Sequence, residues 1–156
     1  MTKNGFLNAL TLALLSSSMT FVTATVARAD AQTVDEGWRK AITANDLNAV
    51  MALYAENAVM WLPDAPEANG QKAIHDAWAG FLAANTVTGA TFANTHYQTS
   101  SDLSAGWGDF TLSLAPKAGG AAVSLSGHFS VIAKNVNGKW VYVVDHASAQ
   151  PPPKSP

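Results

Sequence analysis

The sequence predicts an α+β fold: three N-terminal helices packed on one face of a strongly curved antiparallel sheet that encloses a pocket. Three observations carry this reading. Apolar residues recur at helical spacing between residues 34 and 82, broken only by a short apolar run at 58–62. Residues 90–147 then break into four runs suited to strands. Asn137-Gly138 separates the last two runs and is the strongest short hairpin signal a chain can carry. Helices first and paired strands afterwards place the helices together on one side of the sheet.

The elements follow in order. Thr33-Val34-Asp35-Glu36 has the form of a capping box, which predicts a helix starting near Val34. Val34, Trp38, Ala41 and Ile42 make its apolar stripe. Asp46 can cap a second helix carrying Leu47, Val50, Met51 and Tyr54. Ala58-Val59-Met60-Trp61-Leu62 reads as a short strand closed by Pro63-Asp64-Ala65-Pro66. Asn69-Gly70 turns the chain into a third helix with Ile74, Ala77, Trp78, Phe81 and Leu82 on one stripe. Strands are expected within 90–99, 105–115, 122–134 and 139–147, with Gly119-Gly120 joining the second to the third.

Composition narrows the function. The chain has 156 residues, 48% of them hydrophobic, and no cysteine. Disulfides, thiolate nucleophiles and Cys-ligated metals are thereby excluded. Nine Lys+Arg against eleven Asp+Glu give a formal net charge of −2, which offers no electrostatic grip on nucleic acid. Charged residues are only 13% of the chain, and five are tryptophan. Such a surface leaves an apolar face for a partner subunit to cover.

The first 29 residues read as a cleaved secretory signal. Lys3 supplies the positive start, Phe6 to Leu15 the apolar core, and Ala27-Arg28-Ala29 the small residues before a cut ahead of Asp30. The apolar part is too short to span a bilayer, so no membrane attachment is expected after cleavage, and the destination is the periplasm or the exterior. A domain is expected over 30–150, and Pro151-Pro152-Pro153-Lys154-Ser155-Pro156 as a disordered tail.

Cofactor signals are missing. His75, His96, His128 and His146 share no metal-ligand spacing, so no metal is expected. The glycines form neither a phosphate loop nor a dinucleotide fingerprint, and no serine sits in a nucleophile elbow. The aromatics say more. Trp38, Tyr54, Trp61, Trp78, Phe81, Phe110 and Phe129 all lie on apolar stripes, more than a flat two-layer core needs, which favours a hollow interior. On the last strand, strict alternation sets Trp140, Tyr142, Val144 and His146 against Val141, Val143, Asp145 and Ala147. Either Asp145 or His146 must therefore look inward.

With these elements placed, the chain resembles the NTF2-like superfamily, and within it the small SnoaL-like and DUF4440-type domains. The resemblance rests on Ala44-Asn45-Asp46-Leu47 through Tyr54-Ala55-Glu56-Asn57-Ala58-Val59, on Gly70-Gln71-Lys72-Ala73-Ile74, on Asn137-Gly138-Lys139-Trp140 and on Asp145-His146-Ala147-Ser148. It is also similar to the association domain of calmodulin-dependent kinase II and to ketosteroid isomerases. The resemblance implies a cone around a pocket and a homodimer through the outer sheet face. It also implies that Trp38, Leu62 and Gly127 occupy the positions where ketosteroid isomerases carry their catalytic Tyr and two Asp. Under it, Gly127, Phe129, Val143 and Asp145 face the cavity, while His128, Tyr142 and His146 face the dimer. The expected ligand site is Trp38, Tyr54, Trp61, Phe110, Phe129, Val143 and Asp145, with Asp145 the candidate catalytic acid or base. The leading expectation is a pocket for a small apolar or aromatic molecule. An isomerase, dehydratase or hydrolase using Asp145, and a structural assembly domain, are the alternatives.

Overall fold

A computed structural model describes residues 30–150; the expected signal segment and the Pro-rich tail lie outside the described residues. The first helix, α1 (Ala31–Thr43), begins three residues before Val34. Its N-cap is Asp30, whose carboxylate accepts the Thr33 backbone N–H at 3.3 Å. Thr33-Val34-Asp35-Glu36 is therefore not the capping box. The earlier start adds a turn that buries Ala31 completely, and it frees Glu36 to pair with Arg39.

Asp46 caps α2 (Leu47–Met51), its Oδ1 accepting the Ala49 N–H at 3.0 Å. Asn45, at positive φ, clamps the turn between α1 and α2 to the sheet. Its amide exchanges two hydrogen bonds with the Val87 backbone, at 2.8 and 3.0 Å. Tyr54 does not extend α2. It opens β1 (Tyr54–Trp61), because the preceding Leu53 carbonyl accepts the Tyr142 N–H at 2.7 Å and draws the chain into the ladder.

A two-residue strand, β2 (Ala68–Asn69), precedes α3 (Gln71–Ala84). Four long strands follow: β3 (Asn85–Ser100), β4 (Leu103–Pro116), β5 (Val123–Val136) and β6 (Lys139–Ala149). Asn137 and Gly138 both take positive φ in the last hairpin, the backbone conformation that Asn and Gly tolerate better than other residues. The sheet order is β2-β1-β6-β5-β4-β3. The last four strands are antiparallel, but β1 runs parallel to β6, so the sheet is mixed. That pairing joins the first long strand to the last.

The core lies between the helices and the inner sheet face, with Val34, Ile42, Val50, Met60, Ile74 and Val87 essentially inaccessible. Along the β5–β6 pairing, parity is lost at one place. Ile132 pairs with Val144 and Ala133 with Tyr142, leaving Val143 as the extra residue of a β-bulge. Tyr142 and Asp145 consequently face the same way.

Candidate functional site

A cavity of about 630 Å³ opens between α1, α3, the 62–67 loop and the inner faces of β3 to β6. The regular alternation of β4 and β5 points Phe110, Leu112, Phe129 and Val131 into it. Trp38 enters from α1, and Trp78 and Phe81 from α3. The rings form one array: Trp38–Trp78 at 5.6 Å, Trp38–Phe92 at 5.9 Å, Trp78–Phe81 at 5.7 Å and Phe92–Phe129 at 4.8 Å between centroids. Tilted and edge-on geometries at these separations are favourable beyond simple burial.

Two carboxylates sit in this apolar setting. Asp145 accepts a 2.5 Å hydrogen bond from Tyr54 Oη on its Oδ2, and Tyr54 in turn accepts one from Trp78 Nε1 at 3.2 Å. Asp35 is 1% exposed and takes two phenols, Tyr142 on Oδ1 at 2.5 Å and Tyr97 on Oδ2 at 2.8 Å. Burial pushes both carboxyls up to about 6; the tyrosine bonds pull the other way and are outweighed. Asp145 further raises Asp35 by like-charge repulsion. The phenols shift upward as well, chiefly by burial, and remain donors.

The expected site residues divide. Trp38, Phe110, Phe129 and Asp145 line the cavity. Tyr54 lies beneath it, 2% exposed, and reaches the site through Asp145. Trp61 points to the other face: Met60 takes the inward position, and Trp61 donates to Glu67 at 2.9 Å and packs edge-on against His146. Val143, displaced by the bulge, does not line the cavity, and Tyr142 faces inward rather than toward a dimer partner. Asp35, Trp78, Phe81, Phe92 and Tyr142 are among the further residues of the walls. Asp35 carried a readable sign: it is a carboxylate flanked by Val34 and Trp38 on the buried stripe of α1.

Of Trp38, Leu62 and Gly127, the three positions singled out by the resemblance described above, Gly127 is sterically closed. A Cβ there would collide with the Ser148 carbonyl oxygen, so no side chain, aspartate included, fits without moving β6. Leu62 and Trp38 both line the cavity and carry no carboxylate or phenol.

A separate polar cluster lies on the outer sheet face. Asp109 accepts from Asn94 at 2.6 Å and meets His128 Nδ1 at 2.7 Å, and these contacts hold its carboxyl below the usual range. Cross-strand pairing also sets His96, Trp107, Ser130, His146 and Trp61 in one row across five strands. Among the described residues, no three His, Asp or Glu side chains converge as metal ligands.

A mixed sheet backed by helices, with an aromatic cavity holding paired carboxylates, defines an α+β cavity-forming domain. The SnoaL-like domain family matches residues 36–143, and the chain belongs to that family. Among solved structures, it is similar to a ketosteroid isomerase-like protein from Erwinia carotovora atroseptica, at 18% identity and TM-score 0.68, over 78% of this chain and 94% of that one. A structure named as a calcium/calmodulin-dependent protein kinase II association domain, from Xanthomonas campestris, aligns at 20% identity and TM-score 0.63, over 81% and 91%. A structure named as a dehydratase of the NTF2-like family, from Streptomyces avermitilis, aligns at 13% identity and TM-score 0.64, over 79% and 96%. At these identities the likeness is one of fold. No curated protein matches the sequence.

Proposed function

We propose that the protein is an exported, homodimeric binding protein whose cavity holds a small apolar or aromatic molecule, the strands curving around it as a cone. One observation carries the binding reading: a 630 Å³ space walled by aromatic rings, within the range of small-molecule sites, with Asp145 as its polar handle. The row of Trp107, His146 and Trp61 on the outer face supports the dimer, since Trp107 and Trp61 are 43% and 40% exposed in the isolated chain.

The test is mass spectrometry of small molecules extracted from protein purified out of the periplasm. An apolar or aromatic compound present in near-equal amount to the protein is expected; solvent-only extracts from freshly prepared, folded protein would refute the reading. Light scattering at micromolar concentration should give a dimer that Trp107→Glu converts to monomer. N-terminal sequencing of exported material should begin at Asp30.

An enzymatic reading, with Asp145 as general acid or base, draws support from its carboxyl being raised to about 6, close to a useful working range. Weighing against enolate chemistry, Gly127 cannot host a second carboxyl, and among the lining side chains the one N–H or O–H donor without a hydrogen-bond partner is the buried Trp38 Nε1. Tyr142 and Trp78 spend their donors on Asp35 and Tyr54, and Trp38 Nε1 is buried. Binding is therefore the better supported function.

A further inference from the structure

The charged lining of the cavity is of one sign only. Its charged side chains are Asp35, Asp64, Glu67 and Asp145, with no Lys, Arg or His among the lining residues. Asp35 is saturated, one phenol on each oxygen. Asp145 is not. Tyr54 occupies Oδ2, while Oδ1 receives no hydrogen bond among the described residues, and Asp145 lines the cavity. The walls are π-faces, which attract a cation and gain most where water is excluded.

From this arrangement we infer that the cavity selects an apolar body bearing an organic ammonium group, which donates to Asp145 Oδ1 while aromatic rings enclose the rest, and that it rejects carboxylates. A ligand carboxylate would meet four acids and, apart from the buried Trp38 N–H, no unspent side-chain donor, and would lose its hydration without adequate replacement. A neutral alcohol can donate one hydrogen bond to Asp145 but gains neither the charge nor the cation–π attraction. The inference rests on the cavity being a binding site, and adds which chemistry that site prefers.

Three probes of one skeleton separate the two ideas: 2-(2-naphthyl)ethylamine, 2-(2-naphthyl)ethanol and 2-naphthylacetate, each titrated calorimetrically into the whole protein at pH 8. The amine is expected to bind at least about tenfold tighter than the alcohol, and the carboxylate at least about tenfold weaker than the alcohol. In Asp145→Asn the amine-to-alcohol ratio should fall to within about threefold, since the charge-assisted bond becomes a neutral one. The wild-type series stands without the variant. Equal binding of amine and alcohol, or tightest binding of the carboxylate, overturns the ammonium inference while leaving the cavity reading intact. Failure of all three to bind overturns both.

Discussion

Tyr142 and Asp145 enter the same cavity although they stand three residues apart on one strand, because Val143 is bulged out of the ladder between them. Without the bulge, one of the two would face the outer surface. The extra residue thus brings two Tyr–Asp pairs side by side, Tyr54 with Asp145 and Tyr142 with Asp35, the phenol rings 5.2 Å apart.

Stability should rise on acidification. Asp35 and Asp145 have folded-state values near 6 against an ordinary 3.8, so the native state binds more protons than the unfolded chain between those values. That contribution is complete below about pH 4 and lost as the pH climbs through 6. Asp35 is faced by Tyr97, Tyr142, Glu36 and Asp145, and Asp145 by Tyr54 and, from its own strand, His146. The melting temperature at pH 5 should exceed that at pH 7.5; a fall over the same interval in differential scanning calorimetry would contradict the assignment.

The two carboxylates should respond oppositely to amidation. Asp145→Asn retains an oxygen for its single partner, Tyr54, and removes a buried charge, so at pH 7.5 it should be neutral or stabilising. Asp35→Asn has one carbonyl oxygen for two phenols, and should cost about 1–3 kcal/mol. Urea melts of both variants measure the contrast. Clear destabilisation by Asp145→Asn with ligand binding intact would make that residue a strut.

Trp38 separates packing from polarity. Truncation to Ala removes contacts with Trp78 and Phe92 and should cost roughly 3–5 kcal/mol. Trp38→Phe retains a ring and eliminates an indole N–H that is buried without a partner. It should cost less than about 1 kcal/mol, because losing an unsatisfied donor offsets the smaller volume. Equal penalties for the two changes would show that the N–H has a partner.

Gly127→Ala should destabilise by at least about 2 kcal/mol, since the methyl group collides with backbone, which yields less readily than a side chain. Guanidinium melts would register it, and a wild-type midpoint would mean that β5 and β6 can part locally.

Much of this was legible beforehand, and the rest was hidden for identifiable reasons. The Asn137-Gly138 hairpin, the Asp46 cap and the order of elements follow from local chemistry, which a sequence carries directly. That Asp145 and His146 face opposite ways follows from alternation, while which of them turns inward follows only from the family resemblance. The bulge at Val143 is settled by how β6 fits between β1 and β5, so no local pattern announces it, and the assignments of Tyr142 and Val143 fail together. Trp61 was misplaced because an uninterrupted apolar run has no alternation from which to read a face. The spacing of Tyr54 from Val50 suits a helix, whereas the parallel partner that makes it a strand lies near the other end of the chain.

The parallel pairing of β1 with β6 bears on the order in which the molecule can be made. Tyr54 meets Asp145 only across 91 positions of sequence, and the central sheet stays open until β6 inserts between β1 and β5. During synthesis the chain would carry α1, α3 and the hairpins of β3 to β5 with Trp38, Trp78 and Phe129 still uncovered, and would close only when its last strand is released. Closure of so long a loop is slow relative to hairpin formation, and in the interval β1 and β5 both present unpaired edges. The strand that completes the cavity is therefore also the strand on which escape from aggregation depends.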